Sequence, residues 1–300
     1  METIFESKQL TKTYKGRNVV NAVNMHVDRG DIYGFIGKNG AGKTTLMKMI
    51  CGLISSSSGS FTLFGSNDLT EQRKKIGCVI EQPALYPGMT AYQNLCYYSK
   101  LLGMEKQTDP QKLLELVGLG DTGKKKSKNF SLGMKQRLSI AIALIGNPEF
   151  LVLDEPINGL DPSGIREVRE LLLKLNQEKH MTILISSHIL GELGKIATKY
   201  GIINSGNLVE EFQAEELENR TRHHLRLTVD NAQRAVKLLA DRAGVEQYKI
   251  EDDNTVYLFD NTNQAAEYNE ILVKEGIRVS ALVDEGEDME MYFVKRMGGM

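Results

Sequence analysis

Three hundred residues are more than one small domain holds, and 41% hydrophobic with 25% charged side chains is enough apolar content for a buried core. The net charge of −2 conceals a division: residues 1–212 sum to +5, and residues 213–300, with 11 basic and 18 acidic side chains, to −7. These values exclude intrinsic disorder and argue against a bulk polyelectrolyte partner, and no apolar run reaches the roughly 18–20 residues of a bilayer span.

The opening Met1-Glu2-Thr3-Ile4-Phe5-Glu6 is acidic and lacks the apolar segment of a secretory signal. Short strand patterns then alternate with turns over the first 80 residues. Ile32–Ile36 is a compact apolar strand, followed by a glycine-rich loop and a helix over Thr45–Ile50 that Gly52 closes. Four serines and Gly59 turn the chain into a strand over Ser60–Phe64. From about residue 83 to 130 short helical patterns rich in Leu and Tyr carry no strand, which predicts a helical insertion.

Alternation resumes from Leu138: a helix, strand Phe150–Leu153, helix Ile165–Glu178, strand Thr182–Ser186, helix Leu190–Lys199 and strand Tyr200–Asn204. Strands alternating with helices imply a largely parallel, helix-covered sheet. A second unit begins near residue 222. Its order is β-α-β-β-α-β, with helices Ala232–Ala243 and Gln264–Glu275 and a terminal helix at Met289–Arg296, which predicts a ferredoxin-like module. Cys51, Cys78 and Cys96 share no CxxC spacing and no nearby histidine, so reduced thiols packed as small hydrophobes, and a cytoplasmic chain, are expected.

The strongest chemical signal is Gly37-Lys38-Asn39-Gly40-Ala41-Gly42-Lys43-Thr44, a full match to G-x-x-x-x-G-K-[ST] between a strand and a helix. Glycines let backbone N–H groups curl around phosphate oxygens, and the helix N-terminus adds partial positive charge. Lys43 is placed to reach the β- and γ-phosphates and the Thr44 hydroxyl to hold Mg²⁺. The competing reading is a glycine-rich turn with no ligand. Strand Phe150–Leu153 runs into Asp154-Glu155, a costly pair at the end of an apolar strand. Asp154 is placed to support the Mg²⁺ shell and Glu155 to orient or deprotonate an attacking water. Ser131 reads as the cap of a helix with a basic first turn.

The phosphate loop, then Ser131-Leu132-Gly133-Met134-Lys135-Gln136-Arg137, then Asp154-Glu155-Pro156, Gly159-Leu160-Asp161-Pro162 and Ser187-His188 resembles the nucleotide-binding subunit of ATP-binding-cassette (ABC) transporters, over about residues 1–212. The resemblance implies an α/β P-loop NTPase core with an antiparallel β subdomain and a helical insertion at about 83–137, the accessory α+β domain occupying 213–300. It implies an ATPase using ATP and Mg²⁺, with Gly37–Thr44 and Thr45 at the phosphates and Tyr14 stacked on adenine. Ser131, Leu132, Gly133 and Met134 occupy the signature motif, usually Leu-Ser-Gly-Gly-Gln, which meets the γ-phosphate on the opposite subunit. Asn158, Gly159, Leu160 and Asp161 resemble the loop that communicates across that dimer, and His188 the switch histidine.

One segment departs from the pattern. Val79–Pro87 aligns with the family's Q-loop, and Pro83-Ala84-Leu85-Tyr86-Pro87 places Glu81 at the metal-and-water position; an alternative alignment places Gln82 there. A Glu at this place, and the Ser-Leu-Gly-Met form of the signature, are similar to the exporters that protect bacteria from lantibiotics and bacitracin-like peptides. The partners this implies are membrane-spanning permease subunits and a second ATPase subunit, as a homodimer. The chain would then lie peripherally on the cytoplasmic face of the cell membrane, with Ala84–Tyr92 and the helical insertion as its docking surface. Drug, lipid or ion efflux, and a nucleotide-gated role without transport, are the alternatives. Lys124, Lys125, Lys126 and Lys128 read as a solvated loop and not a nucleic-acid patch. The pair His223-His224 is too isolated for a metal site.

Overall fold

The computed structural model describes residues 2–81, 85–221, 224–285 and 289–298, and every count and absence below is of those residues. The chain divides into two compact units, Met1–Ala214 with Phe293–Met300, and Glu215–Tyr292.

In the first unit the chain runs through β1 (Thr3–Tyr14), β2 (Arg17–Val23), β3 (His26–Asp28), β4 (Ile32–Ile36), α1 (Lys43–Ile50), β5 (Ser58–Leu63), α2 (Leu69–Gln72) and β6 (Ile76–Val79). The insertion holds α3 (Ala91–Leu101), α4 (Pro110–Leu116) and the start of α5 (Leu132–Ala143). Then follow β7 (Phe150–Asp154), α6 (Pro162–Lys179), β8 (Thr182–Ser187), α7 (Leu190–Leu193), β9 (Lys199–Asn204) and β10 (Asn207–Gln213). Long β1 pairs antiparallel with β2, β3 and β5. The second sheet has the order β10-β9-β4-β8-β7-β6. It is parallel except for β10, which pairs antiparallel with β9.

Every residue of β4, β7 and β8 is buried, the signature of parallel strands covered on both faces. Their carboxyl ends lie side by side, with Ile36 opposite Ser187 and Asp154 opposite Ser186. Loops leaving that edge of an open α/β sheet are where ligands bind. A buried cation joins the two sheets: Lys199 on β9 donates from Nζ to His26 O at 3.1 Å and lies 3.4 Å from Asp28 Oδ2. Behind it the fully buried Tyr33 donates to Glu211 Oε1 on β10 at 2.8 Å. Desolvation, followed by the Glu211 charge, pushes the phenol well above its usual range.

Several boundaries move for local reasons. α6 starts three residues before the expected Ile165, because Asp161 caps it, accepting from Gly164 N at 3.2 Å, and Pro162 fits the first turn. The helix expected over Leu190–Lys199 stops at Leu193, and Lys199 already belongs to β9. Strand β10 follows a two-residue turn in which Ser205 and Gly206 both take positive φ, a hairpin geometry masked in the sequence by Glu210 and Glu211. Cys78 is exposed where a packed thiol is expected, because β6 is an edge strand. The expected second unit over 213–300 also loses its far end. Phe293 is fully buried, its ring 5.5 Å from Tyr200 and 6.4 Å from Phe212, and Arg296 Nε donates to Glu210 Oε2 at 2.6 Å.

The second unit contains β11 (His224–Val229), α9 (Ala232–Ala243), β12 (Tyr248–Ile250), β13 (Thr255–Leu258), α10 (Ala265–Lys274) and β14 (Val279–Glu285), preceded by α8 (Ala214–Thr221) and followed by α11 (Met289–Arg296). Its antiparallel sheet, ordered β12-β13-β11-β14, is the ferredoxin-like arrangement. Leu225, Leu227 and Val229 alternate inward against Val236, Leu239, Tyr268 and Leu272. His224 sits 3.8 Å from Glu285, whereas His223 lies outside the described residues.

One close approach sets the distance between β6 and α5. A Cβ on Gly77 would stand 2.1 Å from the Ala143 carbonyl oxygen, a backbone atom with no rotamer to retreat into. Gly77→Ala is expected to cost about 1–3 kcal/mol and to lower the thermal midpoint; an unchanged midpoint would show that β6 and α5 separate freely.

Candidate active site

The loop between β4 and α1 forms a groove of about 150 Å³ lined by Val19, residues 38–45 and Glu155. Gly42 begins α1 with φ 115° and no side-chain cap, so the first-turn N–H groups are left without intrahelical partners. Lys43, buried at 5% exposure, curls into the loop and donates to Gly37 O at 2.5 Å and to Lys38 O at 3.4 Å. Its Nζ also lies 3.3 Å from Glu155 Oε1, which is buried without a hydrogen-bond donor.

Asp154 closes β7 as a buried carboxylate whose two oxygens are both engaged. Thr44 Oγ1 donates to Oδ2 at 2.8 Å and Ser186 Oγ to Oδ1 at 2.7 Å. No cationic side chain pairs with it among the described residues. A buried charge held only by two hydroxyls fits a site that receives a divalent cation beside substrate phosphates. No group of three or more His, Cys, Asp or Glu among the described residues could hold a metal by itself. Glu155 follows with φ 49°, a left-handed conformation rare for a non-glycine residue. Its Oε2 is 2.7 Å from His188 Nδ1, just beyond β8.

A larger cavity of about 730 Å³ lies alongside, lined among others by Glu81, Leu132, Gln136, Asp154, Glu155 and Asn158. Glu81, also at positive φ (62°), is ion-paired with Lys48 of α1. Gln82, Pro83 and Ala84 lie outside the described residues. Ser131 caps α5, accepting from Met134 N at 3.2 Å, and a Cβ on Gly133 would stand 3.5 Å from Gly164 Cα, so α5 and α6 start in close contact. Ser163 Oγ and Gly164 N hydrogen-bond the Asp161 carboxylate and hold its pKa below the usual range. Gly159 and Leu160 complete the turn into α6, Leu160 N donating to Ile157 O at 3.3 Å.

The structure thus gathers residues 37–45, Asp154, Glu155 and His188 into one place and sets Glu81, Leu132 and Asn158 around the adjoining cavity. Tyr14 is 46% exposed, with Lys12 Nζ 5.0 Å from its ring centroid. Two neighbours escape motif reading. Lys48 carries no pattern of its own, and Ser186 reads as the last residue of an apolar strand, its only signal being a place two residues before His188.

The ABC transporter family profile matches residues 20–158. The bacitracin transport ATP-binding protein BcrA of Bacillus licheniformis is 40% identical over 302 residues, covering all of this chain and 99% of that protein. The lantibiotic transport ATP-binding protein SrtF of Streptococcus pyogenes is 46% identical over 212 residues, 71% of this chain and 92% of that protein. Among solved structures, a dimeric ATP-binding cassette in a post-hydrolysis state bound to ADP and Pi is 26% identical, with a TM-score of 0.63 over 70% of this chain and 99% of that one. No helix among the described residues is long and apolar enough to cross a membrane. The phosphate loop, the two carboxylates and a relative matched end to end agree: the chain belongs to the ABC transporter family, as an ATP-binding subunit.

Proposed function

We propose that two copies of the chain bind and hydrolyse ATP between them on the cytoplasmic face of the cell membrane, driving export of a peptide antibiotic through separate membrane-spanning subunits. The observation that carries this reading is the convergence of Lys43, Thr44, Asp154, Glu155 and His188 at the carboxyl edge of one parallel sheet. The free amides of α1 and the Lys43 ammonium bind phosphate oxygens, Lys43 exchanging loop carbonyls for them. Thr44 and Asp154, with Glu81 across the cavity, would hold Mg²⁺, which supplies positive charge to the β- and γ-phosphate oxygens.

Glu155 orients a water and accepts its proton as the water oxygen bonds to the γ-phosphorus and the bond to the ADP oxygen breaks. His188 holds the Glu155 carboxylate through Nδ1 and faces the γ-phosphate. Tyr14 stacks on adenine. Ser131–Met134, at the N-terminus of α5, meets the γ-phosphate of ATP bound to the other copy, with Asn158–Asp161 at the contact between copies. Exposed Tyr86, Tyr92, Leu101 and Leu102 suit the helical insertion to docking against the membrane subunits.

The cargo class is supported by the bacitracin and lantibiotic transport names of BcrA and SrtF and by Glu81 at the Q-loop position. Glu155→Gln is expected to bind ATP, slow phosphate release by about 10²–10⁴-fold and accumulate an ATP-locked dimer in gel filtration; retained turnover would defeat the assignment. For the metal position, Glu81→Gln should raise the Mg²⁺ concentration giving half-maximal rate while Gln82→Ala leaves it unchanged, and the opposite result would move the role to Gln82. Deleting the gene should sensitise the cell to bacitracin-like peptides or lantibiotics. Unchanged peptide sensitivity with altered drug, lipid or ion tolerance would reassign the cargo.

A further inference from the structure

Within the reaction just assigned, one residue outside every motif holds both the Asp154 carboxylate and the Glu155 backbone amide. Ser186 is fully buried at the end of β8, after the apolar run Ile183-Leu184-Ile185. A hydroxyl in that position requires partners. It has two: Ser186 Oγ donates to Asp154 Oδ1 at 2.7 Å and accepts from Glu155 N at 2.9 Å. The directions follow from the proton count. The Glu155 amide carries its own proton, so the oxygen must accept there, and its single proton is left for the carboxylate.

We propose that Ser186 is a positioning residue for ATP hydrolysis, locking the metal-supporting Asp154 and the base Glu155 into one fixed relation through a single oxygen. Parallel pairing places Ser186 directly opposite Asp154, so the geometry is set by sheet register and not by a mobile loop. The amide it holds belongs to a residue in the left-handed region, where a side chain needs external support. Two residues later the same strand exit presents His188 to the Glu155 carboxylate. Glu155 is thus held at its backbone by residue 186 and at its side chain by residue 188. Thr44 already occupies Asp154 Oδ2, so without Ser186 the carboxylate would turn about one remaining bond.

The phosphate loop does not touch this hydroxyl, so losing it should impair chemistry and leave nucleotide capture intact. Ser186→Ala is expected to lower kcat about 10–100-fold and to raise the Mg²⁺ requirement, with the Kd for ATP changed less than about threefold. Ser186→Thr, which restores the hydroxyl, should recover most of the rate. Steady-state phosphate release, a Mg²⁺ titration and ATP binding by calorimetry on the full chain read these separately. Wild-type kcat in folded Ser186→Ala, or Ser186→Thr no better than Ser186→Ala, overturns the proposal. If Ser186→Ala does not fold, Ser186→Cys carries the same expectation, and failure of both to fold would make the hydroxyl a folding requirement and equally overturn it. The proposal rests on the roles given to Asp154 and Glu155, so Glu155→Gln is measured alongside. An active Glu155→Gln sinks those roles, whereas an inactive one beside an unimpaired Ser186→Ala sinks only that of Ser186.

Discussion

A negative charge at the end of a completely buried strand is the constraint on which the first unit is organised. β7 offers no solvent to Asp154, so the carboxylate must find donors within the protein. It finds them in two neighbours at the sheet edge, Thr44 from the first turn of α1 and Ser186 from β8. Those bonds reach three strand exits at once and fix loops that sequence distance keeps far apart. The strand order β4-β8-β7 is therefore an electrostatic solution as much as a topological one.

Around this centre the chain uses close approaches between backbones. Gly77 admits the carbonyl of Ala143, and Gly133 meets Gly164, so β6, α5 and α6 are held with little side-chain padding. Small shifts of packed elements without cushioning are transmitted, not absorbed. The residues that follow β6 and those at the start of α5 thus lie close to the Asp154–Glu155 edge, lining one cavity with it.

Much of this was legible in the sequence because its signals are local. The limits of β4, the helix after the phosphate loop, the cap at Ser131 and the β-α-β-β-α-β order of the second unit each follow from a few adjacent residues. What escaped depends on distant partners. The pairing of β1 with three strands has no local mark, and β10 hides behind Glu210 and Glu211, whose charges are met by Arg296 and by Tyr33 and His26. Ser186 looks like the end of an apolar run until the register sets it beside Asp154.

The return of Phe293 to Tyr200 and Phe212 changes what kind of appendage the second unit is. Entering after Ala214 and leaving before Phe293, it is spliced into the ATPase unit and not hung from its end. The segment that follows it leads to Gly298, whose carbonyl accepts from Lys38 of the phosphate loop at 3.3 Å. Cutting the chain after residue 214 would therefore do more than remove an accessory piece. It would strip an aromatic plug from the β9–β10 edge and expose Tyr200 and Phe212 to water, turning a truncation meant to isolate the motor into an injury to it.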